Sequence, residues 1–236
     1  MINLIKYDWL RRWKFFLAGI LVFVGVNWNI FNRISHGLGP NFITAILILF
    51  LCILSAALIL DHIGRLYRTL FTDEGFTELT LPLNSYQLLG AKLLAVTLEC
   101  IGVMVIVGMV AYFDLRYADL LFSNFNMIPL TGEILWELIQ AAGFLLSGYL
   151  TFILMVYLSL TLAKSLFASF KHGRFIAFLC FLALGKILES ASNLLNFSAN
   201  LPDPGIFTSV DWLSVLVLIG VLFAGTGFLL DRKVNL

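Results

Sequence analysis

Few residues in this 236-residue chain combine a reactive type with a useful spacing. Glu99 sits in the apolar run AVTLECIGVMV, where a carboxylate is costly to bury and must face protein or water or carry a proton. Two roles are open to it: a polar group on a substrate path that changes partners during a cycle, or a hydrogen-bonding group that holds helices together. An intramembrane hydrolase would need a second carboxylate, or a Ser with a base, at the same depth. No carboxylate lies near Glu99 in sequence, and His36, His62 and His172 all fall in expected loops. Nucleotide hydrolysis needs a phosphate cradle, yet no G-x-x-x-x-G-K-[ST] occurs, and Gly185-Lys186 is followed by Ile187. Cys52, Cys100 and Cys180 lie in apolar runs without metal-ligand spacing and read as small core residues. The chain is therefore expected to be no enzyme, with no catalytic residue, no metal site and no cofactor of its own.

The elements that must hold these residues follow from composition. At 61% hydrophobic and 12% charged, the chain has too little polar surface for a water-soluble domain, so lipid is its expected solvent. A net charge of +1 gives no electrostatic reason for a nucleic-acid partner. Runs near the roughly 20 residues needed to cross a bilayer occur at Phe15–Phe31, Phe42–Leu60, Leu93–Phe113, Leu138–Leu162, Phe175–Leu195 and Val210–Leu230. The expected fold is an all-α integral membrane protein of six transmembrane helices, a single domain over residues 1–236. Six spans put Lys6, Arg11, Arg12, Lys14, Arg65, Arg68, Lys92, Lys164, Lys171, Arg174, Arg232 and Lys233 on one side, and Arg33, Arg116 and Lys186 on the other. That division, 12 of the 15 basic residues on one face, predicts that both termini are cytoplasmic. The first apolar run lacks the short core and cleavage site of a signal peptide and is expected to remain as an anchor.

Three segments are more than spans. Residues 1–14 place Ile2, Ile5, Trp9 and Trp13 at helical spacing with basic residues on other faces, which predicts an amphipathic helix in the inner interface. Residues 61–92 form the longest cytoplasmic segment. In it Arg65, Leu66, Arg68, Thr69 and Leu70 suit a short amphipathic helix, Gly75 a helix stop, Pro82 a break, and Ser85 the cap of the third span. Its acidic cluster Asp73, Glu74 and Glu78 reads either as a solvated loop or as a docking surface for a basic partner. Residues 190–209, with Pro202 and Pro204, form the longest outer segment, and Lys186 and Glu189 are spaced to pair at the end of the fifth span. Asn27, Asn29 and Gln140 are suited to interhelical hydrogen bonds. Small residues at Gly143 and Ser147, and at Gly220 and Ala224, permit close helix approach.

The stretch TDEGFTELTLPLNSYQLLGAKLLA, Thr72 to Ala95, resembles the segment between the second and third spans of type-2 ATP-binding-cassette (ABC) exporter permeases. There an acidic-Gly motif is followed by Leu-Pro, a polar turn and a Lys that opens the next span. The N-terminal interfacial helix, the six spans and the ending LLDRKVNL are similar as well. The sequence departs at Asn84, Ser85 and Tyr86, where many members carry a basic residue. The resemblance implies the transmembrane subunit of an exporter of amphipathic or hydrophobic molecules, such as a peptide or antibiotic. The location it implies is a bacterial plasma membrane. It implies a cytoplasmic ABC ATPase subunit that binds ATP and Mg, and a second permease copy, identical or related. Coupling to the ATPase would fall to Arg65, Arg68, Asp73, Glu74, Gly75 and Glu78. Phe50, Phe175, Phe178 and Phe181, with Glu99, would line the path, although aromatic stripes also serve packing and lipid contact. A non-transporting scaffold or immunity-type protein has the same topology and is the alternative, with an intramembrane hydrolase behind it.

Overall fold

The computed structural model of the chain describes residues 13–14, 17–28, 40–71, 84–121, 131–166, 173–194 and 209–233. All elements among them are α-helices: α1 Leu17–Trp28, α2 Pro40–Phe71, α3 Ser85–Leu121, α4 Gly132–Leu166, α5 Gly173–Leu194 and α6 Ser209–Lys233. Three are long and apolar enough to cross a membrane, over Ser85–Asp114 in α3, Gly132–Ser165 in α4 and Asp211–Asp231 in α6. α1 is shorter over its described residues, α2 carries charge only from Asp61 onward, beyond an uncharged run of its own, and α5 carries Lys186 and Glu189 within its apolar run.

Large apolar side chains stand exposed along these helices. On α3, Leu94, Leu98, Ile101, Val105, Met109 and Tyr112 form an outward stripe at helical spacing, and on α6 Leu213, Leu216, Val217 and Val221 do the same. Water would not tolerate so much contiguous apolar surface, and a bilayer requires it. The chain is a membrane-embedded protein, all-helical among its described residues.

The helices outrun the expected spans. The second span continues unbroken to Phe71 as a helix of 32 residues, so Arg65–Leu70 is not a separate amphipathic helix but the last turns of α2. Charge at Asp61, Arg65 and Arg68 marks the end of hydrophobicity without ending the helix, because Leu, Arg and Tyr are adequate helix formers and no Pro interrupts them. At the start of α3 the cap lies one residue earlier than expected. Asn84 precedes the first helical residue, and its carbonyl accepts from the amides of Gln87 at 2.8 Å and Leu88 at 3.1 Å.

The chain divides into two compact units, Met1–Asp61 with Leu94–Pro129, and His62–Leu93 with Leu130–Leu236. In the second, α4 packs against both α5 and α6. Its core joins Leu66 and Leu70 of α2, Leu89 of α3, Ile153, Tyr157, Leu160 and Ala163 of α4, Ala177 of α5 and Leu230 of α6. Close approach rests on glycine: a Cβ at Gly143 would stand 2.8 Å from the Trp212 ring, and one at Gly227 would collide with the Tyr86 ring. Gly220, the other small residue expected at a helix contact, has nothing within 4 Å of its Cβ position. The hydroxyls of α4 turn back on their own helix, where Ser147, Thr151, Ser159, Thr161 and Ser165 each donate to a carbonyl three or four residues earlier.

Candidate functional site

The charged residues of α2 lie in its last turns, and Lys92 and Glu99 lie in the first half of α3. In the second unit the last turns of α2 carry His62, Arg65 and Thr69 at helical spacing, all buried, while Arg68 is exposed. His62 is fully buried within a helix rather than in a loop. Its Nδ1 is hydrogen-bonded to the Tyr149 hydroxyl at 2.5 Å, and the Tyr157 hydroxyl donates to its backbone carbonyl at 3.1 Å. Thr69 donates to the Arg65 carbonyl at 3.0 Å. From α3 the same unit buries Lys92. At the tip of α2, Tyr67 stacks on Phe71 at 4.9 Å, and the Lys164 ammonium lies 5.3 Å from the Phe71 ring centre. Ser85 donates to Asp231 at 3.3 Å, tying the start of α3 to the end of α6.

In the first unit, the carboxylates of Asp61 and Glu99 lie within 4.8 Å of one another, with Glu99 only 4% exposed. Both make further polar interactions. The two side chains form a close carboxylate pair. It is a polar pair within an apolar protein, and its second member was hidden because Asp61 marks the boundary of an expected loop. Farther along the same unit, the Asn27 amide donates to both oxygens of Asp114 at 2.8 and 2.9 Å, the interhelical bond expected of Asn27.

The residues singled out for function fare differently. Arg65 is buried and Arg68 is exposed, so of the two only Arg68 presents its side chain at the surface. Asp73, Glu74, Gly75 and Glu78 lie outside the described residues, as do residues 1–12 of the interfacial helix and 195–208 of the outer segment. Phe50 falls within α2, its side chain outside those described. Phe175 and Phe178 are exposed on α5, and Phe181 meets Phe152 of α4 edge-to-face at 5.8 Å, which is a packing contact. Lys186 and Glu189 pair at 2.7 Å on the exposed face of α5. Asn29, His36 and His172 are not among the described residues, and Gln140 is half-buried.

Comparison with protein-family models, with characterised proteins and with solved structures returns no match.

Proposed function

We propose that the chain is the transmembrane subunit of an exporter for amphipathic or hydrophobic molecules, with six spans, both termini in the cytoplasm, and ATP hydrolysed by a separate subunit. The observation that carries this reading is the α2 extension. A helix of 32 residues is about 48 Å long at 1.5 Å per residue, well beyond a hydrocarbon core of roughly 30 Å. Its surplus turns are packed through Leu66 and Leu70 into the core formed with α4, α5 and α6. A partner pressing on that tip would move a rigid lever rather than a slack loop. The acidic-Gly segment that follows α2 supplies the expected contact, and exposed Arg68 lies beside it in sequence.

The test is co-purification of the full chain with co-expressed nucleotide-binding subunits from the same cell, followed by hydrolysis in proteoliposomes. Association with stimulated ATP turnover is expected. A chain that binds no such subunit, or binds one without altering its turnover, is a scaffold, and the exporter reading fails.

The Asp61–Glu99 pair gives a second reading a specific foothold, because paired carboxylates can act as acid and base. Glu99 is nearly inaccessible, which argues for a structural or cycle-linked role over hydrolysis. Proteolysis of a model transmembrane peptide by the purified chain, abolished by Asp61→Asn, would favour the hydrolase instead.

A further inference from the structure

Away from the polar pair, the first unit contains an apolar cavity of about 320 Å³. Its walls come from three helices: Ile20 and Phe23 of α1, Leu54 and Leu58 of α2, and Val103 and Val107 of α3. It stays open because Ala18, Gly19 and Ala57 are small at positions where a larger residue would fill it, and a Cβ at Gly19 meets nothing within 4 Å. Every described residue lining it is apolar or glycine.

We propose that this cavity is a binding site for a membrane phospholipid, with a hydrocarbon tail held among α1, α2 and α3. The space opens to the protein surface, where Val22 and Ile53 of its wall stand exposed, so an occupant can enter it from the bilayer. Water is a poor occupant, since an ordered water needs two to four polar partners and the described lining offers none from its side chains. A tail fits: at the roughly 30 Å³ that a small group occupies in a liquid, the cavity takes about ten methylenes.

The surroundings have the order of an amphiphile. One turn beyond Phe23 on α1 is Asn27, and two turns beyond Val107 on α3 is Asp114, and these two side chains are bonded to each other. Trp28, next along α1, is exposed as interfacial tryptophans are. The apolar chamber thus ends at a polar pair on the same helical faces, where the partly exposed Asp114 carboxylate, held by the buried Asn27 amide, is placed to meet the cationic part of a zwitterionic headgroup. The inference rests on membrane embedding and not on transport, so it stands if the exporter reading fails.

The test uses the full chain in phosphatidylcholine vesicles doped with a phosphatidylcholine carrying a diazirine in mid-tail, irradiated and then analysed by peptide mass spectrometry. Adducts on 18–23, 53–58 and 103–107 are expected to exceed, at least threefold per exposed residue, those on the lipid-facing stripe Leu213–Val221 of α6. Ala57→Phe, which fills the space, should remove the excess while leaving the α6 adducts unchanged. Should that variant fail to fold, native mass spectrometry of the unmodified chain reads the same property, and a bound phospholipid that survives detergent exchange is expected. Equal labelling of all lipid-facing surfaces together with no retained phospholipid overturns the proposal. So does efficient disulfide cross-linking of two copies through Ile53→Cys in a chain lacking its native cysteines, which would mean that a second copy covers the cavity.

Discussion

At the scale of single residues, several buried polar groups among the described residues are satisfied locally or by one well-placed partner. Tyr157 is fully buried, and its hydroxyl is aimed at the His62 carbonyl. Tyr157→Phe keeps the ring in the core and removes that bond, so a loss of about 1 kcal/mol is expected in an SDS unfolding titration. A Tyr157→Ala control, which empties the core, should lose about 3–5 kcal/mol. For Glu99 the exporter reading expects Glu99→Gln to fold normally while altering the pH dependence of transport. An unchanged transport profile would leave Glu99 a packing residue. His62 and Asp61 were misread because, in a linear sequence, charge at the end of an apolar run looks like the end of a span. The available signal was the continued helical spacing of His62, Leu66, Thr69 and Leu70 beyond that point. The Asp61–Glu99 pairing left no such trace, since it joins two helices whose relative register no local pattern encodes.

At the scale of elements, α4 is the organiser of the second unit. Its apolar window is 44% buried within the protein, against 17% for α3 and 22% for α6. Its approach to α6 depends on Gly143 beneath Trp212. Gly143→Val is expected to destabilise by about 1–3 kcal/mol through overpacking, and Trp212→Leu should restore much of that loss when combined with it. The same unfolding titration, run as a double-mutant cycle, reads both effects. The spacing of Gly143 and Ser147 announced this contact, whereas Gly220 and Ala224 share the spacing without the neighbour at Gly220. Small residues show where a close approach is possible, and the partner helix decides whether it occurs. The segment after α2 carries its own test. On the exporter reading, reversing Asp73, Glu74 and Glu78 to Lys should leave insertion intact and abolish stimulation of the proposed ATPase, because like charges across a docking surface slow encounter and weaken it. Unimpaired stimulation by the triple variant would make those carboxylates solvated bystanders.

At the scale of the whole molecule, the distribution of basic residues makes topology the sharpest prediction. Cysteine labelling in intact and permeabilised cells should find both termini and Ser85 inside, with Asn126 and Asn200 outside, and an external terminus would undo the six-span arrangement. Apolar run length made the helices legible because lipid forces backbone hydrogen bonds into helices. It under-reports their ends, which extend into a polar zone where packing within the protein takes over from hydropathy. The back-bonded hydroxyls of α4 bear on how such a chain is made. A ribosome delivers α4 to the bilayer before α5 and α6 exist, so for a time its Ser and Thr groups face lipid. Ser147, Thr151, Ser159, Thr161 and Ser165 are already satisfied by carbonyls of their own helix. The Ser and Thr groups of the most enclosed helix therefore give it no unmet hydrogen bond to drive it toward a wrong neighbour during synthesis, and its Tyr149 and Tyr157 hydroxyls are left for His62 of α2, which is made before it.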